Sequence, residues 1–123
     1  MKQTMLVGAG GFVGAILRFK LGGLVLERTA GWRFPLSTLI VNLSGCLAAG
    51  LLMGLVEKRA LFSADTRLFL FVGVLGGFTT FSAFGMETLA LIQRHELRCA
   101  VLNVAASVCF GLLALWFGLK VAS

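Results

Sequence analysis

The chain has 123 residues, 59% of them hydrophobic, and a mean hydropathy of +0.98, which no soluble domain of this size approaches. Its net charge of +6 comes from basic residues scattered at the ends of apolar runs. With no basic stripe interleaved with exposed aromatics, nucleic-acid binding is set aside in favour of membrane anchoring and anion attraction.

Apolar windows of about 19 residues mark four spans, at 5–26, 34–56, 68–92 and 100–120, in one transmembrane domain. Charged connectors at 27–33, 57–67 and 93–98 separate them, and an even number of crossings puts both termini on one side. The first apolar run lacks a small-residue cleavage site and a polar sequel, so no secretory leader is expected. The side of the termini carries Lys2, Lys58, Arg59, Arg67 and Lys120. The other carries Arg28, Arg33, Arg94 and Arg98, with Lys20 added if it reaches that surface. So near a balance gives the positive-inside rule no decisive vote. Two readings stand: the chain inserts both ways and two opposite copies pair as an antiparallel dimer, or one side wins by a small margin.

The first span places Gly8, Gly11, Ala15 and Arg18 on one helical face, broadened by Gly10 and Gly14. Such a face suits close helix packing. It is not a dinucleotide fingerprint, because no strand precedes it and Val13 stands where the third glycine belongs. A cation at Arg18 costs about 2.5–3.5 kcal/mol on insertion scales at mid-span. It either snorkels to the interface or faces a watery vestibule that concentrates anions.

The second span opens near Pro35, a good helix start. Thr38, Asn42, Gly45 and Ala49 form a polar-to-small seam, continued by Gly50 and Gly54. An amide at membrane depth needs partners. Asn42 either bonds a neighbouring helix or donates to a passing anion.

The third span organises the rest. Residues 73–87 carry Gly73, Gly76, Gly77 and Gly85, the hydroxyls of Thr79, Thr80 and Ser82, and Glu87. Glycine and adjacent β-branched residues weaken a helix. Non-helical backbone at membrane depth persists only where protein or water satisfies it. The reading is a broken helix buried at the centre of an assembly; close packing through small residues is the plainer alternative. Phe81 and Phe84 lie on one face about 60° apart, with Phe78 and Glu87 extending the row. Phenylalanines so spaced commonly fill a core. Turned edge-on, their positive rims also line a path for a small anion without holding it tightly. Glu87 is read as a partner for a group such as Arg18, a hydrogen-bond acceptor, or a proton-coupling group.

The fourth span carries Asn103, Ser107 and Gly111 at steps of four, which pack inward or line a pathway. His95 sits in a connector between Arg94 and Glu96 and is read as solvated. Cys46, Cys99 and Cys109 lack metal spacing and are read as buried small hydrophobes. There are no paired carboxylates, no Ser/His/Asp constellation and no metal cluster, so no enzyme is expected.

Three stretches resemble the Fluc/CrcB fluoride channels: 10–18 with Gly10, Gly11, Gly14, Ala15 and Arg18; 38–45 with Thr38, Asn42 and Gly45; and 76–87 with Gly76, Gly77, Thr79, Thr80, Phe81, Ser82, Phe84 and Glu87. The likeness covers all four spans, and its third stretch is highly specific. It implies an all-α integral membrane protein with a broken third helix, forming an antiparallel homodimer in the cell (inner) membrane. It implies passive, fluoride-selective export through two pores. Phe81 and Phe84 would line them and Asn42 would donate, among Thr38, Ser82, Ser107, Arg18 and Glu87 along the anion pathway. The third helix would break at 76–79, with the Gly76 and Thr79 carbonyls of both copies holding a structural sodium ion. Ala83 stands where the family commonly has threonine. A small multidrug/proton antiporter is the alternative, but such proteins carry a first-helix glutamate, and here none precedes Glu27. A third reading is a non-transporting scaffold subunit.

Overall fold

The computed structural model describes residues 1–59 and 62–123. Among them, four helical segments are long and apolar enough to cross a membrane. Helix α1 is Lys2–Thr29 and α2 is Leu36–Arg59. The third crossing, Ala64–Gln93, is split. Its first part, α3, covers 64–78: an α turn at Ala64–Arg67, a π-helical stretch at Leu68–Leu75, and a last turn at Gly76–Phe78. Its second part, α4, is Phe81–Gln93, and α5 is Leu97–Ala122. The expected connector at 57–67 includes residues 60 and 61, which lie outside the described residues.

Local chemistry explains the ends. Ser63 caps α3 by accepting from the Thr66 N–H at 3.2 Å. The stop of α4 is a Schellman turn: Glu96 N donates to Leu91 O at 2.9 Å and His95 N to Ile92 O at 3.0 Å. His95 takes the left-handed position, φ 60°, where glycine is usual. His95 is exposed, as expected for a solvated connector residue, and its backbone closes the turn between α4 and α5.

Glycine sets the packing. Gly10 and Gly14 are buried against α3, where a Cβ would collide with the Phe69 and Val74 carbonyls. Gly11 touches the same helix through its backbone, against Gly77, while Gly8 faces open space. The face expected to be led by Gly8 and Gly11 is thus led by Gly10 and Gly14. The second pair is α2 with α5, where Gly50 and Gly54 face the backbone at Leu115 and Leu119, and Gly118 faces Leu47. Backbones that approach this closely gain dispersion contacts, the main force between helices in lipid. Ser37 ties α2 to α1 by donating to the Gly22 carbonyl at 2.8 Å.

Little of the chain is buried. Val41, Leu91, Ala100 and Asn103 are enclosed, while Phe12, Phe19, Phe81, Leu112 and Trp116 stand exposed. That distribution is inside out for a soluble domain and ordinary for a chain whose apolar surface meets lipid or a second copy.

Gly50→Ala is expected to lower stability in detergent by about 1–3 kcal/mol, the usual cost of overpacking. Gly23, with no atom near its would-be Cβ, should accept alanine without loss. Thermal unfolding of the two purified variants compares them directly.

Candidate functional site at the helix break

The break falls at Thr79 and Thr80, the C-terminal edge of the stretch expected to open. Thr79 has φ −82°, ψ 154° and Thr80 has φ −147°, ψ 114°, both extended. β-Branched residues favour that region. Thr79 still completes α3, because its N–H and its hydroxyl both donate to Leu75 O, at 3.0 and 2.9 Å.

Thr80 leaves the helix and is met by α2. Asn42 Oδ1 accepts from the Thr80 N–H at 2.8 Å, and Asn42 Nδ2 donates to the Thr80 carbonyl at 3.0 Å. One side-chain amide thus takes both main-chain groups of one residue, as a neighbouring strand would. Thr80 then caps α4: its hydroxyl accepts from the Ala83 N–H at 3.2 Å and lies 3.2 Å from the Ser82 hydroxyl. Gly45, one turn beyond Asn42, leaves the space that the Thr79 methyl and the Phe78 ring occupy.

The same bonds free carbonyls of α3. In an unbroken helix the Thr80 N–H would serve Gly76 O, and the Ala83 N–H would serve Thr79 O. Here the first goes to Asn42 and the second to the Thr80 hydroxyl. Thr79 O accepts instead from Arg18 Nη1 at 3.4 Å. Gly76 and Thr79 thus offer oxygens without helical donors, the donor type a hard cation such as sodium takes.

Two cavities flank the break, and a third lies beyond them. The first, about 300 Å³, is walled by Asn42, Cys46, Thr79, Thr80, Phe81, Phe84, Ser107 and Val108. The rings of Phe81 and Phe84 sit 5.4 Å apart, tilted by 45°. Phe81 is 83% exposed, at the rim of this space, whereas Phe84 is half-buried in its wall. The second, about 260 Å³, holds Arg18, Gly22, Ser37, Thr38, Val41, Thr80 and Ala83. Thr80 is common to both and forms the partition. The third, about 250 Å³, opens toward the connectors and includes Trp32, Arg33, Glu87 and Arg94. Thr38 donates to Glu87 Oε1, joining the second cavity to the third.

The residues singled out from sequence therefore divide. Asn42, Phe81, Phe84 and Ser107 converge on one cavity, and Arg18 and Thr38 on another. Ser82 is exposed beside Thr80. Glu87 does not meet Arg18: it pairs with Thr38, and its Oε2 is buried with no hydrogen-bond partner among the described residues. Nor does Phe78 continue the row of rings, since the break turns it toward Gly45. The three cysteines are free, and none is buried as expected: Cys46, in the wall of the first cavity, and Cys99 are partly exposed, and Cys109 is exposed. Sequence reasoning passed over Thr88, which bonds the Phe84 carbonyl and accepts from Asn103. Its one signal was a hydroxyl four residues after Phe84.

The family model for CrcB-like protein, Camphor Resistance (CrcB), matches residues 5–119. A "Fluoride-specific ion channel FluC" of Methylobacillus flagellatus is 48% identical over 98% of this chain and 94% of its own length. A "Fluoride-specific ion channel FluC 1" of Methanosarcina acetivorans is 42% identical over 96% of the chain and 88% of its length. A protein of Flavobacterium psychrophilum with the first of these names is 39% identical over 99% and 98%.

Replacing Asn42 by leucine keeps the bulk and strips Thr80 of both partners. Two unpaired main-chain groups predict a loss of about 2–4 kcal/mol in unfolding free energy. The Thr80 amide should also exchange hydrogen much faster. Asn42→Asp keeps an acceptor for the N–H but sets a carboxylate oxygen against the Thr80 carbonyl, so it should not restore wild-type stability. Undiminished protection at Thr80 in Asn42→Leu would mean that the clamp does not hold the break.

Proposed function

The chain belongs to the CrcB family, and we propose that it is a passive, fluoride-selective channel that lets fluoride leave the cell across the inner membrane. Four membrane-length helices make it a multi-pass membrane protein, and membership of a channel family makes it a transport protein rather than an enzyme. The observation that carries the reading is one cavity walled by Asn42, Ser107, Phe81 and Phe84 at the break.

Fluoride is small and tightly hydrated, so a pathway must replace its water without trapping it. The second N–H of the Asn42 amide, the Ser107 hydroxyl and the ring edges supply weak positive charge in sequence. Arg18, in the neighbouring cavity, raises the local anion concentration from the side. Thr38 and Glu87 continue a polar route toward the connectors, and Ser82 adds a hydroxyl at the rim. The start of α4 favours anions, because the first N–H groups of a helix have no intrahelical partner and the dipole is positive there.

We read the working unit as an antiparallel homodimer with two pores. Phe81 stands almost bare at the edge of its cavity, so one chain leaves the path open on a side that a second copy would close. The near-even basic charge of the two ends supports opposite insertion. On the two-fold axis of such a pair, the freed Gly76 and Thr79 carbonyls of both copies would hold a structural sodium ion, which is not transported. Its charge would offset the carbonyl dipoles gathered at the interface.

Purified protein in liposomes is expected to pass fluoride, read with an electrode, and to hold back chloride. Phe81→Ile and Phe84→Ile should each cut the fluoride rate by about tenfold or more, the scale set by one aromatic contact. Unaltered flux in both would take the rings out of the mechanism; no flux from the wild type would sink the channel reading. In a background free of the native cysteines, Ser123→Cys should label from both faces of the membrane in equal share. Labelling from one face alone would rule out opposite insertion.

A further inference from the structure

We propose that Asn103 and Thr88 form a pin that fixes the Phe84 ring and so sets how well the pathway discriminates between anions; the second half of this statement rests on the channel reading. Asn103 is the enclosed polar side chain of α5, 2% exposed. Its Nδ2 donates to Thr88 Oγ1 at 3.0 Å, and Thr88 Oγ1 donates to the Phe84 carbonyl at 2.7 Å. The two bonds run in one direction, so each polarises the next. Together they couple the main chain at Phe84 to a neighbouring helix.

The position of the pin gives it leverage. On one side lies the cavity bounded by Phe84 and Ser107. On the other lies an apolar groove of about 300 Å³ between α4 and α5, lined by Thr88, Ile92, Val101 and Val104 among others. Between these two spaces, the Asn103–Thr88 bond joins α5 to α4. Asn103 itself lines neither space and stands one turn before Ser107 on α5. Its hydrogen bond therefore holds Ser107 at the level of the Phe84 ring. Asn103 is in this sense a positioning residue; it acts on the ring through Thr88 and does not touch the anion.

Three variants test the pin: Thr88→Val, which keeps shape and loses the hydroxyl, Thr88→Ser, which keeps the hydroxyl, and Asn103→Leu. Each is purified as the assembled protein with 4-fluorophenylalanine at position 84. Fluorine NMR reads the ring's order directly, without reference to transport. Thr88→Val and Asn103→Leu should broaden or split the Phe84 signal, while Thr88→Ser keeps the single wild-type line. In liposomes, the ratio of fluoride to chloride flux should fall by about tenfold in Thr88→Val, the scale of one buried hydrogen bond, and be retained in Thr88→Ser. Adding Asn103→Leu to Thr88→Val should cost nothing further, because both break one chain of bonds. A merely stabilising role would lower the melting temperature and leave the signal and the ratio unchanged. An unchanged Phe84 signal in Thr88→Val overturns the pin, whatever the flux. Wild-type protein that passes no fluoride overturns the channel reading, and the fluorine signal then decides the pin by itself.

Discussion

The structure turns on one side chain meeting one residue's main chain. A helix interrupted in lipid exposes N–H and C=O groups that no water reaches, each costing several kcal/mol. The Asn42 amide takes both groups of Thr80, and the Thr80 hydroxyl takes the next exposed N–H, at Ala83. Few side chains could replace asparagine. The clamp needs a donor and an acceptor on one short planar group, which leucine, aspartate and serine each fail to supply. Gly45 is part of the same device, since a side chain there would push α2 away from the break.

From that clamp follow the polarity and shape of the centre. Halting α3 at Phe78 leaves carbonyls without helical donors, and restarting at Phe81 presents a new set of N–H groups. One interruption thus gives a negative helix end and a positive helix end within a few residues of each other. The rotation across Thr79–Thr80 also turns Phe78 toward Gly45 and Phe81 outward, so rings that a straight helix would stack face different neighbours. Thr80, as partition between two cavities, separates the space of the rings from the space of Arg18.

Much of this was readable in the sequence, for reasons of local chemistry. Four apolar spans follow from hydropathy. A break near the third span's middle follows from glycines beside paired threonines, and the seam of Thr38, Asn42 and Gly45 does face that break. The readings went astray where the answer depends on a distant partner or a rotation. Whether the Gly8 or the Gly10 face packs depends on a turn of α1 by part of a circle, and both faces carry small residues. Of the readings open to Glu87, the hydrogen-bond acceptor holds, with Thr38 as donor, while Arg18 reaches the Thr79 carbonyl instead. Thr88 was missed since a lone hydroxyl on an apolar helix gains meaning only once Asn103, fifteen positions on, lies against it.

The open side of the first cavity ties fold to assembly. A single chain of this length has four crossings and must spend α1 on α3 and α2 on α5, each pair locked by glycines. That leaves α4 supported mainly by Asn42, Thr38 and Asn103, polar contacts rather than broad packing. Polar contacts are directional, so they fix the angle of α4 while leaving its outer face bare. On the proposed dimer reading, a helix held by angle more than by burial is well suited to present Phe81 across a boundary, because a second copy would complete the packing that the first omits. On the proposed reading, the chain's lack of a substantial core and its need for a partner are one property, and the pathway runs where that missing core would have been.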